Sequence, residues 1–449
     1  MPSRISQLKE SFWALPALMA VSGALAAVAS TSVDAVAGRT LVNDYAWAWS
    51  GSAEGARSVL SVIAGSTMTV AGVVFSITVT ALAQTSSHFG PRVLRNFTAD
   101  RGNQLVLGTF IGTFVFCLLV LRSVSVEGES QPASVPFLSV NLGLLFAIAS
   151  IGVLIYFIHH IARSLQVEVL LASVGAEFDA SLATLFPDQL GQGRDRAPPP
   201  LADPGGWERA TPVTAGRDGY VQGIDQARLM ALAEAGDLRV IVDKRPGDFV
   251  RKEEPVLRVQ WPGPPQPALR RRLGACVQVG VHRTPQEDIS YSVQQLVEVA
   301  ARGLSPGVNE VFTALSCIDW LGSALDSLAG RRLPQAARAD RHGQVRVIAT
   351  PTSLVDLADL VFDTLRPYAA EHALIAHRLL HLIADLAPRL HRAADAHALQ
   401  RHARRLALEA ERLPNADDRA AVTRSAQHCA RALDDAVQRL DGVTGTPRA

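Results

Sequence analysis

The chain has 449 residues, 48% of them hydrophobic and 19% charged, with a formal net charge of +1. That charged fraction is below the roughly 25% usual for soluble domains. A balance so near neutral argues against non-specific nucleic-acid binding, which needs a basic excess. The four cysteines, Cys117, Cys276, Cys317 and Cys429, are far apart with no CxxC spacing, which argues against a zinc ribbon, a thioredoxin-type motif or a disulfide scaffold.

No charged side chain occurs between Ser11 and Val33, Ser58 and Pro91, Gly102 and Leu121, or Ser130 and Ala162. About 20 helical residues cross the hydrocarbon core, so four membrane helices are expected, near 12–33, 59–86, 103–122 and 137–160. Arg4 and Lys9 precede the first run, as in a secretory leader. The run is longer than the roughly 7–15 apolar residues of a leader, and three more spans follow it, so a membrane span is expected.

Arginine and lysine in the short flanks set the orientation. Arg4 and Lys9 precede the first span, Arg92, Arg95 and Arg101 separate the second from the third, and Arg163 follows the fourth. The other two loops balance or outweigh their arginines with Asp34, Asp44, Glu54, Glu127 and Glu129. Both termini are therefore expected in the cytoplasm of a bacterial inner-membrane protein. Tyr45, Trp47 and Trp49 suit the outer interface.

Residues 1–163 are thus read as a transmembrane domain and 164–206 as a helical extension with a Pro/Gly-rich linker. A small β-rich domain is expected over 207–282 and a mainly helical one over 283–449. After Arg163 there are 34 basic and 35 acidic residues, so the soluble part has no basic field. Alternation predicts strands at Gly219–Ile224, Leu238–Asp243, Phe249–Val250 and Val256–Val259, with a helix over about 225–235 and a turn at Arg245–Asp248. Pro246-Gly-Asp-Phe-Val250 resembles the turn of biotinyl- and lipoyl-type barrels, which predicts a small structural barrel. Lys244 and Lys252 flank that turn instead of occupying a separate hairpin tip, so no modified lysine is expected.

Ile289, Val293, Leu296 and Ala300 mark one amphipathic helix, stopped at Gly303. Val311, Leu315, Ile318, Leu321, Leu325 and Leu328 mark a second. A strand at Val345–Ala349 and about four helices over 353–441 follow, broken near Pro367, Ala393 and Pro414. The fold class is membrane α-helical with four transmembrane helices, then a cytoplasmic α+β domain with a small β-barrel-like part and a helical bundle.

Three stretches carry a resemblance: Thr69-Val-Ala-Gly-Val-Val-Phe-Ser-Ile-Thr78, Phe89-Gly-Pro-Arg-Val-Leu-Arg-Asn-Phe97, and Gly303-Leu-Ser-Pro-Gly-Val-Asn-Glu310 with Thr313-Ala314 and Cys317-Ile-Asp319. With the four spans, they resemble a bacterial family of predicted membrane proteins, the domain-of-unknown-function family 2254. The resemblance covers nearly the whole chain and implies a multi-pass inner-membrane protein without assigning an activity. Glu310-Val311 stands where the family usually has Asp-Pro, which keeps the carboxylate and loses the proline.

In that loop, Ser305 or Asn309 is expected to cap the 310–328 helix while Pro306 and Gly307 shape its entry; Glu310 opens it. The alternative is an anion or partner site on the helix's free N–H groups. His377 and His381 have the i, i+4 spacing of two metal ligands. Without an HExxH pattern they are read as part of a solvated, Arg-rich face. There is no Walker A loop, no GxSxG, and no GxGxxG opening a helix after a strand. Neither an enzyme, a cofactor nor a metal is expected.

The second span is the most informative. Ser66, Thr69, Ser76, Thr80, Gln84 and Ser87 fall within about an 80° arc of a helix, with Val73 the apolar member of the stripe. Such residues either bond their own helix carbonyls and line a packing seam, or face water in a pore. In a pore, Val73 is the constriction, and Arg92 and Arg95 form a cytoplasmic mouth. Two functions follow: a homo-oligomeric ion channel with a cytoplasmic regulatory domain, or a non-conducting membrane-anchored sensor or scaffold whose soluble domain binds a partner. The expected partners are the lipid bilayer, further copies of the chain and an unidentified cytoplasmic partner, not nucleic acid. A coupled transporter fits less well, because, Arg122 at the very end of the third span apart, the spans contain no Asp, Glu, Lys or Arg.

Overall fold

The computed structural model describes residues 13–37, 52–89, 100–125, 135–164, 166–185, 210–331 and 333–444. The chain divides into two compact units between Val169 and Leu170. Among the described residues the first has four long helices: α1 (Ala14–Ala37), α2 (Ala53–Phe89), α3 (Arg101–Ser123) and α4 (Phe137–Ser164). All four are long and apolar enough to cross a membrane.

Small residues let α1 and α3 pack backbone to backbone. A Cβ on Gly23 would lie 2.4 Å from the carbonyl oxygen of Gly112, and one on Gly108 would lie 2.5 Å from Met19 Sδ. Around α3 the interior is filled by Leu60, Phe110, Phe116, Val120 and Phe157. Phe116 meets Phe146 edge to face at 4.8 Å, and the Thr113 and Ser150 hydroxyls pair at 3.3 Å.

Two aspartates pin the ends of this bundle. Asp34, in the last turn of α1, accepts from the backbone N–H groups of Leu138 and Ser139 at 2.9 Å each. It also accepts from the Ser139 hydroxyl at 2.7 Å. One helix thus supplies the missing acceptors for the first turn of another. Asp100 caps α3 by accepting from the Gly102 N–H at 2.7 Å, and its other oxygen lies 2.5 Å from His160 Nε2 on α4. Tyr156 stacks on that imidazole.

The second unit contains most of α5 (Val167–Leu185), in which Gly175 makes room for the Trp320 ring. Eight strands follow: β1 (Thr211–Thr214), β2 (Gly219–Ile224), β3 (Arg239–Val242), β4 (Phe249–Val250), β5 (Pro255–Gln260), β6 (Val277–Gly280), β7 (Ala337–Ala339) and β8 (Val345–Ala349). Helices α6 (Gln226–Ala235) and α7 (Pro267–Gly274) lie among them. Alternating valines and leucines, among them Val221, Val240, Leu257, Val259 and Val347, build one core between the sheets and these helices.

The barrel expected from the Pro246–Val250 turn does not form. The strands make two open sheets, ordered β1-β5-β3-β8-β7 and β4-β2-β6. Two features prevent closure. β4 has only two residues, and the free side of β3 is taken by β8, which pairs with it in parallel from about a hundred positions downstream.

The remaining helices are α8 (Ile289–Gly303), α9 (Val311–Ala329), α10 (Leu354–Leu365), α11 (Ala373–Leu386), α12 (Ala393–Ala410) and α13 (Ala416–Thr444). Ile318, Leu321, Leu325 and Leu328 of α9 are buried as the spacing predicts. A reciprocal Ser353/Asp356 capping box starts α10.

Candidate functional site: the outward face of the second membrane helix

Helix α2 has 37 residues, about 55 Å at 1.5 Å per residue, so it outreaches a hydrocarbon layer of about 30 Å. Its buried residues, Ala53, Ala56, Leu60, Ile63, Ala64, Thr67, Ala71, Val74, Thr78, Ala81 and Thr85, recur mainly at three- and four-residue steps and face the other helices. The predicted stripe lies about 140° round the helix from this face. Ser66, Thr69, Val73, Ser76, Thr80, Gln84 and Ser87 are all exposed.

Several of the hydroxyls bond within the helix. Thr69 Oγ1 donates to the Gly65 carbonyl at 2.9 Å and Thr80 Oγ1 to Ser76 at 2.9 Å. Ser66 Oγ donates to Ile63 at 3.1 Å and Ser87 Oγ to Gln84 at 2.8 Å. This satisfies each proton while lone pairs still face outward. Val73, 54% exposed, is two residues past the helix midpoint. Gly65 and Gly72 flank the stripe, and a Cβ on either would touch nothing within 4 Å. Among the described residues of one copy, this face packs against no other helix. Arg92 and Arg95 lie outside the described residues.

The loop motif is placed differently from the expectation. Helix α9 begins at Val311 with Glu310 at the cap position, and no side chain caps it. Ser305 Oγ donates back to the Arg302 carbonyl at 2.6 Å. Asn309 takes a left-handed conformation, φ +52°, so its contribution is to the turn and not to a cap. Asparagine is among the few non-glycine residues that tolerate it. The Glu310 N–H donates to the Gly303 carbonyl at 2.7 Å, closing the loop, and Thr313 Oγ1 donates to Glu310 Oε2 at 3.1 Å. Pro306, Gly307 and Asn309 are exposed, and Phe312 just beyond them is 79% exposed.

The two histidines part company. His377 Nδ1 sits 2.8 Å from Ser425 Oγ on α13, and burial first, then His381, depresses its pKa. Only His381 is on an exposed position. The solvated face expected for both is therefore corrected for His377, because α13 covers it.

Sequence reasoning missed both aspartate pins. Asp34 meets a helix about 104 positions downstream, and local spacing cannot show that. Its place as the first charge after an apolar run is the only hint. It also missed the fully buried His402, whose Nε2 lies 2.7 Å from Asp359 Oδ1. The short elements β1, β6, β7 and α7 carry too few apolar residues to stand out.

A family model described as "Predicted membrane protein (DUF2254)" matches residues 9–385. The chain is 31% identical over 390 residues to the uncharacterized protein Mb1321c of Mycobacterium bovis, covering 85% of this chain and 73% of the relative. The uncharacterized protein Rv1290c of Mycobacterium tuberculosis matches with the same identity and coverage. No solved structure matches significantly. With four helices fit to cross a membrane and a family match over most of its length, the chain belongs to the DUF2254 family of predicted membrane proteins.

Proposed function

We propose that the protein is a homo-oligomeric pore of the bacterial inner membrane, regulated by its carboxyl-terminal unit in the cytoplasm. The observation that carries this reading is the outward polar face of α2. In lipid, such a face gains nothing over valine or leucine, and Gln84 has no side-chain partner among the described residues. The interior of one copy is packed with aromatic and branched side chains, so a water path belongs on a symmetry axis between copies. There each α2 contributes hydroxyls to the wall, Gly65 and Gly72 permit close approach, and a ring of Val73 side chains forms a dry constriction. Arg92 and Arg95 follow α2 in the sequence on its expected cytoplasmic side, and positive charge there would favour anions.

Single-particle imaging of the full chain in lipid nanodiscs tests the assembly. A ring with α2 innermost around an axial hole is expected. A single copy, or a ring with the stripe facing lipid, overturns the reading. For orientation, a cysteine at Ser52 should react with an impermeant thiol reagent from outside the cell, and one at Ser87 should not. The native thiols are all buried and add little background. The reverse pattern overturns the orientation.

The membrane-anchored sensor or scaffold stays as a second reading. It is favoured by the exposed Val308 and Phe312 beside the Ser305–Glu310 loop, an apolar tip on an otherwise polar turn.

A further inference from the structure

The second unit holds a cavity of about 420 Å³ where β3 and β8 run parallel and end together. Residues 242–246 leave β3 along one wall and residues 349–352 leave β8 along another. Crevices at the carboxyl ends of parallel strands are common ligand sites, because the diverging chains leave a gap there, and the volume suits a small metabolite.

Not every charge on its walls is paired. Asp243 is matched by Arg258, which donates to it through Nε at 2.9 Å and Nη2 at 2.7 Å. Lys244 is matched by Glu254 at 2.5 Å and Arg245 by Asp356 at 3.0 Å. Two lining residues remain, Arg338 and Glu287. Arg338 Nη1 donates to Gln226 Oε1, while its Nε is buried with no partner. Glu287 Oε2 accepts from the Ile224 N–H at 2.9 Å, and no cation of the described residues pairs with it. The two do not pair with each other. Gly223 presses close beneath this carboxylate, and a Cβ there would lie 3.0 Å from it. The Ser181–Pro285 hydrogen bond, 2.9 Å, ties α5 to the segment that carries it.

Opposite charges that line one cavity and leave each other unpaired cost stability unless something else completes them. An inorganic anion would satisfy only Arg338 and leave most of the volume empty. We propose that this cavity binds a mononucleotide-sized organic phosphate that also presents N–H donors, as a guanine nucleotide does. Its phosphate pairs with Arg338, and its base donates to the free oxygen of Glu287. Ile224, Val242 and Ile289, with Pro246 and Pro351, supply the apolar part of the lining. Burial lowers the guanidinium's pKa and raises the carboxyl's, the direction of strain that a bipolar ligand relieves. The Asp356 carboxylate already occupies the start of α10, so the anion falls to Arg338 and not to that helix end. Binding in this cavity does not depend on whether the membrane unit conducts.

Calorimetric titration of the full chain in detergent micelles with GMP tests it. GMP should bind, with guanosine and ribose 5-phosphate each at least about tenfold weaker, since each lacks one end. Arg338→Met and Glu287→Gln should each weaken GMP by about ten- to a hundredfold. Their ligand-free melting temperatures should stay level or rise, because an unmatched half-buried charge is gone. Thr352→Trp, which fills the cavity and touches neither charge, should also abolish binding. The proposal is overturned if GMP gives no heat, if ribose 5-phosphate binds equally well, or if the affinity survives in Arg338→Met and Thr352→Trp.

Discussion

In the first unit Leu25, Ile148, Ile151, Ile155 and Ile158 point outward, whereas in the second Leu257, Phe362, Leu379 and Leu399 are fully buried. Polar groups follow the opposite pattern. Ser30, Ser139 and the Thr113–Ser150 pair lie inside the membrane bundle. The second unit instead spreads ion pairs such as Arg378–Asp319 and Arg405–Asp363 over exposed positions. Lipid offers no hydrogen bonds, so the first unit keeps its polar groups together, while water lets the second display them. Against that background the outward stripe of α2 departs from the rule of its own unit. On the surface of the second unit the same seven residues would pass unnoticed.

The sharpest way to break the comparison is at Asp34. Replacing it with alanine removes the acceptor of two backbone N–H groups of α4 and of the Ser139 hydroxyl. Asp34→Ala should cost about 3 kcal/mol, read from unfolding in mixed micelles. Asp34→Asn, which can still accept, should cost roughly half of that. Equal, negligible effects would mean that the α1–α4 end contact does not hold the bundle.

A smaller effect is expected in the second unit. Asn309→Val puts a β-branched side chain at φ +52° and should destabilise by about 1–2 kcal/mol, whereas Asn309→Gly should be neutral or slightly stabilising. Denaturant midpoints of the full chain distinguish the two. A valine variant as stable as the glycine variant would contradict the left-handed turn.

The smallest is a pH effect at His402. Burial lowers its pKa from the usual 6.5, against the pull of Asp359 and Asp363. The unfolded chain therefore binds the proton more readily than the folded one. The stability this neutral histidine contributes is full above about pH 6.5 and is lost as pH falls through the depressed folded value. His402→Gln should flatten the melting temperature across that acid window. An unchanged slope would remove His402 as its source.

The sequence makes the membrane helices legible because their signal is continuous: charge-free runs from Ser11, Ser58, Gly102 and Ser130 all correspond to observed helices. The strand at Val345–Ala349 is equally plain by alternation, but its partner is not. Parallel pairing of Val347 with Val240 crosses about a hundred residues, and the barrel expectation fails for that reason. The stripe is legible as a pattern on one helix, while its outward direction depends on which face Ala71, Val74 and Ala81 bury. The cavity is illegible from sequence, since Arg338 and Glu287 look like any surface charges until their neighbours are known. Asn309 is an intermediate case: asparagine after glycine and valine hints at a left-handed turn as much as at a cap.

Ion flux through reconstituted liposomes bearing Val73→Ser tests the pore most directly. A hydroxyl ring at the constriction should wet it, so flux should rise well above the wild-type protein, while Val70→Ser, half-buried and about 60° away, should do much less. If Val73→Ser leaves flux at the protein-free baseline while the oligomer stays intact, the stripe is a packing surface between copies and the protein does not conduct through it.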